Sequence, residues 1–210
     1  MHIPDGFLAP TITLPAYAVA APLWIWAGRK HFGPNQIEAL PAVGALTAVA
    51  FVLQTIMIPL PGGTSTHLVG ASLLALVRGP LVAFVCESLV LVIQALFFGA
   101  GGITVLGVNA IAMGLLGPLA AWLVMKPLGR RLPGIGAFVA GYVGLQVSTL
   151  AVALTLGLQH FLDPGQLPTP LAVVLAAMMA PSLLVTGLIE ALYTLFAFRV
   201  LVRVRGRNTG

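Results

Sequence analysis

The sequence has very few charged residues and almost no cysteine. Of its 210 residues, only 7% are Asp, Glu, Lys or Arg, whereas 59% are hydrophobic. A soluble domain carries about 25% charged residues, so this composition cannot build a water-exposed surface. The single cysteine, Cys86, excludes an internal disulfide, and its apolar surroundings predict a packing role. The scarcity of charge therefore predicts a protein whose solvent is lipid.

Three further absences narrow the function. The net charge of +5 comes without a clustered basic face, so nucleic acid is not an expected partner. No segment resembles the G-x-x-x-x-G-K-[ST] phosphate loop, so we expect a non-enzyme, with any ATP hydrolysis on other subunits. The first residues lack the basic and cleavage signals of a secretory leader, so Met1 and His2 are expected to begin the mature chain.

The sequence does contain long apolar runs, separated by proline and glycine. A spanning helix needs about 20 mostly apolar residues. The runs also lack the period-two alternation of barrel strands, which indicates an all-α membrane protein. We predict about seven transmembrane helices in one bundle, a single domain over residues 1–210. The segments are 11–28, 38–59, 65–78, 80–98, 104–125, 135–158 and 171–198. The third is short, and we expect it to be tilted or to begin inside a membrane dip of loop 60–66.

The positive charges predict the orientation of the bundle. With these crossings every Lys and Arg falls on one side, which the positive-inside rule makes the cytoplasm. These residues are Arg29, Lys30, Arg78, Lys126, Arg130, Arg131, Arg199, Arg203, Arg205 and Arg207. The N-terminus is then outside and the C-terminus cytoplasmic, in a multi-pass protein of the cell's inner (plasma) membrane. His2 and His67 are expected together on the external side.

The start of the chain offers an unusual set of nitrogen ligands. The α-amine of Met1, the backbone nitrogen of His2 and Nδ1 of the His2 ring can close fused chelate rings and hold a metal in one plane. A histidine at the second position leaves the fourth corner open, and His67 can fill it. Square-planar nitrogen ligation favours Ni²⁺ or Cu²⁺ over Zn²⁺. The competing interpretation is a pair of ordinary polar residues, one solvated and one capping a helix.

Several motifs point to a known family. The opening MHIPDGFL, the run PGGTSTHL at 61–68, QALFFG at 94–99 with GGIT at 101–104, and GVN at 107–109 carry the similarity. They resemble the CbiM/NikM family, the substrate-binding (S) components of cobalt/nickel energy-coupling factor (ECF) transporters. The specific motifs cover about residues 1–125, and beyond them only the apolar architecture supports the resemblance.

The resemblance implies a site and a set of partners. Met1, His2 and His67 would bind the transported Ni²⁺ or Co²⁺, with no catalytic cofactor. The polar residues that match the family around them are Asp5, Thr64, Ser65 and Asn109, whose alternative role is turn chemistry or helix capping. A membrane-embedded coupling (T) subunit and a pair of ABC-type ATPases would be partners, and a small accessory membrane subunit is a further candidate. The opening and the GGTSxH loop favour the nickel branch.

Two other functions stay open at the level of sequence. A stand-alone, proton-coupled transporter of divalent metals would use Glu87 or Glu190, because intramembrane carboxylates are often functional. The competing interpretation of both is burial, with bonds to neighbours such as Gln54 or Gln94. An intramembrane metal hydrolase would need an open coordination position for water, which a planar four-nitrogen site does not offer.

Overall fold

The computed structural model describes residues 2–59 and 65–207, apart from the side chains at positions 35, 58, 59, 65 and 205–207. Within this part the chain is mostly helical, which confirms the all-α class. The α-helices are α1 Pro10–His31, α2 Leu40–Thr55, α3 Ala71–Arg78, α4 Pro80–Ile93, α5 Leu106–Asn109, α6 Gly117–Arg131, α7 Pro133–Leu162, α8 Leu171–Pro181 and α9 Gly187–Arg207. A 3-10 helix, Pro34–Ala39, precedes α2, and wider π-helical turns lie at Gln94–Phe98, Ala110–Leu116 and Ser182–Thr186.

Long apolar helices confirm a multi-pass membrane protein. In the described residues, six helical stretches are long and apolar enough to cross a membrane. They are Pro10–His31, Gln36–Thr55, Pro80–Phe98, Leu106–Arg131, Pro133–Leu162 and Leu171–Val204. Each corresponds to one of the segments predicted from the apolar runs.

The third predicted segment, 65–78, has a different construction. Its helix α3 has eight residues, about 12 Å of length, which is too short for a crossing by itself. The residues before it are extended, and Ser65–Thr66 (β2) pairs antiparallel with Ile58–Pro59 (β1). Nearly every side chain from position 66 to 75 is buried. Non-helical backbone at membrane depth is tolerated only when protein surrounds it, and this segment meets that condition.

Proline and glycine set many of the helix boundaries. Proline occupies the first position of α1, α4 and α7, where the missing N–H is not needed and φ is already helical. Gly70 ends the extended segment with φ +74°, a left-handed conformation that glycine adopts without a steric cost. A Cβ at this position would also lie 3.1 Å from Cα of Ala50 in α2. The start of α3 therefore requires glycine.

The core brings the chain start into the bundle. Ile3 is fully buried in the main apolar cluster, with Phe84 of α4, Met113 and Leu145 of α7. Cys86 is buried in a second apolar cluster, which agrees with a packing role. At one end of the bundle, His31 and Arg78 line a common cavity. Apart from this cavity, hydrogen bonds described below connect the chain start with residues 103–104 and residues 159–166.

Candidate metal-binding site

The backbone of the N-terminal arm, residues 2–9, is clamped by Asn109 at the end of α5. Oδ1 of Asn109 accepts from the N–H of Ile3, and its Nδ2 donates to the carbonyl of Ile3, both at 3.0 Å. This two-point contact acts on the residue that follows His2. Asn109 is 1% exposed, so both bonds form away from water. Asn109 thus fixes the backbone of the residue next to His2.

Asp5 anchors the arm to the turn before α5. Its carboxylate accepts from the N–H of Ile103 at 3.2 Å, and from the N–H and the hydroxyl of Thr104 at 2.9 and 2.5 Å. Gly102 makes room for it, because a Cβ there would lie 2.0 Å from Oδ1 of Asp5. Asp5 therefore holds the arm against residues 103 and 104.

Two glutamines hold the arm from the opposite side. Oε1 of Gln159, on α7, accepts from the N–H of Ala9 at 2.8 Å. Nε2 of Gln166 donates to the carbonyl of Gly6 at 3.0 Å, and Nε2 of Gln159 donates to Oε1 of Gln166 at 3.2 Å. Sequence reasoning missed both residues. The one available signal was that Gln159 is a polar residue at the end of a long apolar run.

His67 lies in the extended chain between β2 and α3, which we call the His67 segment, residues 66–70. Nδ1 of His67 is 2.8 Å from the carbonyl oxygen of Leu68. A carbonyl only accepts, so Nδ1 carries the hydrogen and Nε2 keeps its lone pair. Nε2 of His67 is buried and has no hydrogen-bond partner. The local backbone therefore selects the tautomer whose free nitrogen can bind a metal.

The two imidazoles lie against one another. The ring centroids of His2 and His67 are 4.5 Å apart, with the ring planes at 20°. Burial lowers the pKa of His2 from 6.5 to about 3 and lowers the pKa of His67 well below 6.5. Both rings are consequently neutral at pH 7, the form that binds metals. In the described residues, the buried side-chain nitrogens and oxygens without a partner are His2 Nε2, His67 Nε2, Gln54 Oε1 and Gln94 Oε1.

The described side chains around the two imidazoles do not form an ordinary metal site. Across residues 2–59 and 65–207, no cluster of three or more His, Cys, Asp or Glu side chains is placed to hold a metal. Two imidazoles alone leave a divalent ion underligated, since even an open tetrahedral site has three protein ligands. Further nitrogens from the chain start would complete the set. The arm that Asn109, Asp5 and Gln159 hold is the element that could supply them.

The remaining predicted residues have varied positions. Met1 and Thr64 lie outside the described residues, as does the side chain of Ser65. Nδ1 of His160, near the end of α7, lies 2.8 Å from the carbonyl of Leu167 and thus has a structural partner.

Comparison with known proteins gives matches along nearly the whole chain. A family model for the cobalt uptake substrate-specific transmembrane region matches residues 2–207. A protein of Methanocaldococcus jannaschii described as a metal transport protein is 36% identical over 207 residues, which is 98% of this chain and 93% of that protein. The fused nickel transport protein NikMN of Rhodobacter capsulatus is 37% identical over 207 residues, 92% of this chain but only 59% of that longer protein.

A solved structure has the same fold. The crystal structure of a transition metal transporter superposes with a TM-score of 0.90 at 35% identity, covering 97% of this chain and 93% of that chain. The family match over residues 2–207 spans both the N-terminal arm and the His67 segment.

Proposed function

The chain belongs to the family of cobalt-uptake substrate-specific transmembrane proteins, and from this membership we propose that it is the ion-capturing S component of an ECF importer for Ni²⁺ or Co²⁺. Cobalt or nickel transport in the membrane follows from the family. The capture site and the coupling to ATP hydrolysis are the proposed part. One observation carries the proposal: two neutral, buried imidazoles face each other beside the chain start, and Nε2 of His67 has no hydrogen-bond partner.

The proposed ligands are four nitrogens in one plane. The amine of Met1, the deprotonated amide of His2 and Nδ1 of the His2 ring form the fused chelate, and Nε2 of His67 fills the last corner. The tautomer of His67 supports this arrangement, because its Nδ1 is engaged by Leu68. Planar nitrogen ligation suits Ni²⁺ better than metals that prefer tetrahedral or octahedral sites. The predicted preference is accordingly nickel over cobalt.

We also propose how the protein is oriented in the membrane and which subunits it works with. The site end of the bundle would face outward in the inner (plasma) membrane and the end with His31 and Arg78 would face the cytoplasm, as the positive-inside rule predicts. The sequence contains no phosphate loop, so a T subunit and a pair of ABC-type ATPases would power release. All of residues 1–210 would act as a single capture domain.

The test changes the position of the amine. A variant with three residues added before Met1 keeps both imidazoles but moves the amine out of the fused chelate, so Ni²⁺ affinity should fall by more than about 100-fold, beyond the loss typical of an outer-shell change. A single added residue is avoided, because it would make the histidine the third residue and let the chain start fill all four corners alone. Isothermal titration calorimetry measures the affinity, and intact-mass spectrometry checks that Met1 is the free terminus of the unextended protein. The matched control adds the same three residues at the C-terminus. Unchanged affinity in the extended protein would contradict the capture model.

A second candidate, the proton-coupled transporter, rests on one observation. Glu87 and Glu190 are fully buried within the bundle. In that case metal uptake would proceed in cells or vesicles without any ATPase. Uptake measured in proteoliposomes that contain this chain alone, with and without a pH gradient, separates the two functions.

A further inference from the structure

The two intramembrane carboxylates, Glu87 and Glu190, are engaged in hydrogen bonds that connect them to the His67 segment. These contacts favour a structural role over proton transport. Nε2 of Gln54, on α2, donates to both oxygens of Glu87 at 2.8 and 2.9 Å, and to the carbonyl of Val69 at 2.9 Å. All three residues are buried. The predicted bond between Glu87 and Gln54 is thus present, and it extends to the His67 segment.

These contacts set the direction of the Gln54 amide. A carboxylate and a carbonyl are acceptors, so the NH₂ group of Gln54 must face Glu87 and Val69. Its Oε1 then points to the other side, where it is buried without a partner. The side chains of Gln54 and Gln94 both neighbour the His2 ring. Each glutamine therefore brings a buried, unpartnered Oε1 to a ring whose Nε2 also has no partner.

Glu190, on α9, supports the second imidazole through the backbone. Its two oxygens accept from the N–H of Val69 at 3.0 Å and of Gly70 at 2.9 Å. Gln54 takes the carbonyl of Val69 and the ring of His67 takes the carbonyl of Leu68. These backbone groups of residues 68–70 therefore have hydrogen-bond partners although the chain is not helical there. The segment that presents His67 is consequently held by α2 and α9 together.

We propose that these residues are an outer positioning shell of the metal site, an inference that rests on the proposed function and deepens it. Gln54, oriented by Glu87, accepts the Nε2–H of His2 and so leaves Nδ1 of that ring for the ion. Glu190 holds the backbone that aims His67. Metal-bound imidazoles commonly donate their second nitrogen to such an acceptor, and its loss typically costs about 10–100-fold in affinity.

The main experiment measures Ni²⁺ binding by the purified full-length chain. Gln54→Leu should lower the affinity about 10–100-fold and change the visible absorption of planar Ni²⁺, because His2 loses its orienting acceptor. Gln146→Leu is the matched control: this glutamine of α7 forms hydrogen bonds with Ser182. It removes an equal number of side-chain atoms and should leave Ni²⁺ affinity near the wild-type value.

The carboxylates are tested by neutral variants and by a swap. Glu87→Gln presents an NH₂ group to that of Gln54 and should weaken binding about tenfold, and Glu190→Gln should do the same by removing one backbone acceptor. The double variant Gln54→Glu with Glu87→Gln exchanges acid and amide, and the carboxylate now at position 54 can still accept from His2, although the carbonyl of Val69 loses its donor. Recovery of part of the affinity lost in Glu87→Gln supports orientation over simple packing, and an affinity no higher than that of Glu87→Gln contradicts it.

The outcomes separate this inference from the proposed function. His67→Ala tests the capture site itself: wild-type affinity in that variant overturns the proposed function. If His67→Ala loses binding while Gln54→Leu and Glu87→Gln bind as the wild type does, only the outer shell is overturned. Unchanged Ni²⁺ affinity with lost uptake in Glu87→Gln would assign Glu87 to proton transfer instead. Thermal unfolding of each variant without metal shows whether it folds. If Gln54→Leu does not fold, the double variant Gln54→Glu with Glu87→Gln still tests the proposal.

Discussion

The N-terminal arm and the His67 segment bring one imidazole each to the site, and they are held in different ways. The arm is anchored partly at the surface, by the exposed Asp5 and Gln166, and partly by the buried Asn109 and Gln159. The His67 segment is buried and is held by carboxylates and an amide from within the bundle. The comparison teaches that one side of the site is preorganised by the core, whereas the other depends on a few hydrogen bonds that water can compete for.

Proton release should show which region supplies the reactive nitrogens. Burial keeps His2 and His67 neutral, since their pKa values are lowered, to about 3 for His2. The amine, with an ordinary pKa of about 7.7–8.0, and the backbone amide belong to the arm and must lose protons. Binding should release about two protons per ion, so affinity should fall about 100-fold per pH unit below pH 7.

Calorimetry in buffers of different ionisation enthalpy measures this number. A release of three or four protons would show that the imidazoles are charged and would contradict their burial.

The same two histidines also set the direction in which the stability of the metal-free protein changes with pH. Unfolded histidines bind protons below about pH 6.5 and the buried ones do not, so stability should fall as the pH drops from about 6.5 towards 3.

Removing the buried anchor of the arm should have the next largest effect. Asn109→Leu leaves the N–H and the carbonyl of Ile3 buried without partners, which costs about 1–3 kcal/mol for each group. The arm should detach, and Ni²⁺ affinity should drop about 10–100-fold. Calorimetry measures the loss, and Asn109→Asp, which keeps the acceptor for the N–H, is the control. Equal effects of both variants would mean that the clamp is not what Asn109 contributes.

A change at the start of α3 should act on the His67 segment alone. Gly70→Ala places a Cβ at φ +74° and 3.1 Å from Cα of Ala50, so we expect a destabilisation of about 1–2 kcal/mol. Thermal unfolding without metal should show a midpoint lower by a few degrees. Gly44→Ala, in the interior of α2 where a Cβ has nothing within 4 Å, is the matched control and should not destabilise.

The smallest effect is expected at the exposed anchor. Asp5→Asn keeps one acceptor oxygen for Thr104 and loses the second, in a position where water can replace it. We expect Ni²⁺ affinity to change by less than about tenfold, corresponding to a single hydrogen bond worth roughly 0.5–1.5 kcal/mol. A loss as large as that of Asn109→Leu, in the same titration, would remove the distinction between exposed and buried anchors.

Much of the architecture could be predicted because its signals are local. Apolar runs of sufficient length predict helices, and proline at their first position predicts where α1, α4 and α7 begin. The third segment could not be predicted in the same way. Its apolar residues predict a helix, yet residues 67–70 are not helical, because Glu190 and Gln54 satisfy backbone groups that a helix would otherwise have paired.

The sequence by itself determined that this is a membrane protein and which residues are candidate metal ligands, since composition and motifs are properties of the chain alone. Only the tertiary structure decided what holds those candidates. Asn109 contacts Ile3 across 106 positions, and Glu190 contacts Val69 across 121. No periodicity encodes such pairs, because each depends on where two distant helices pack and on which buried backbone groups are left without a partner.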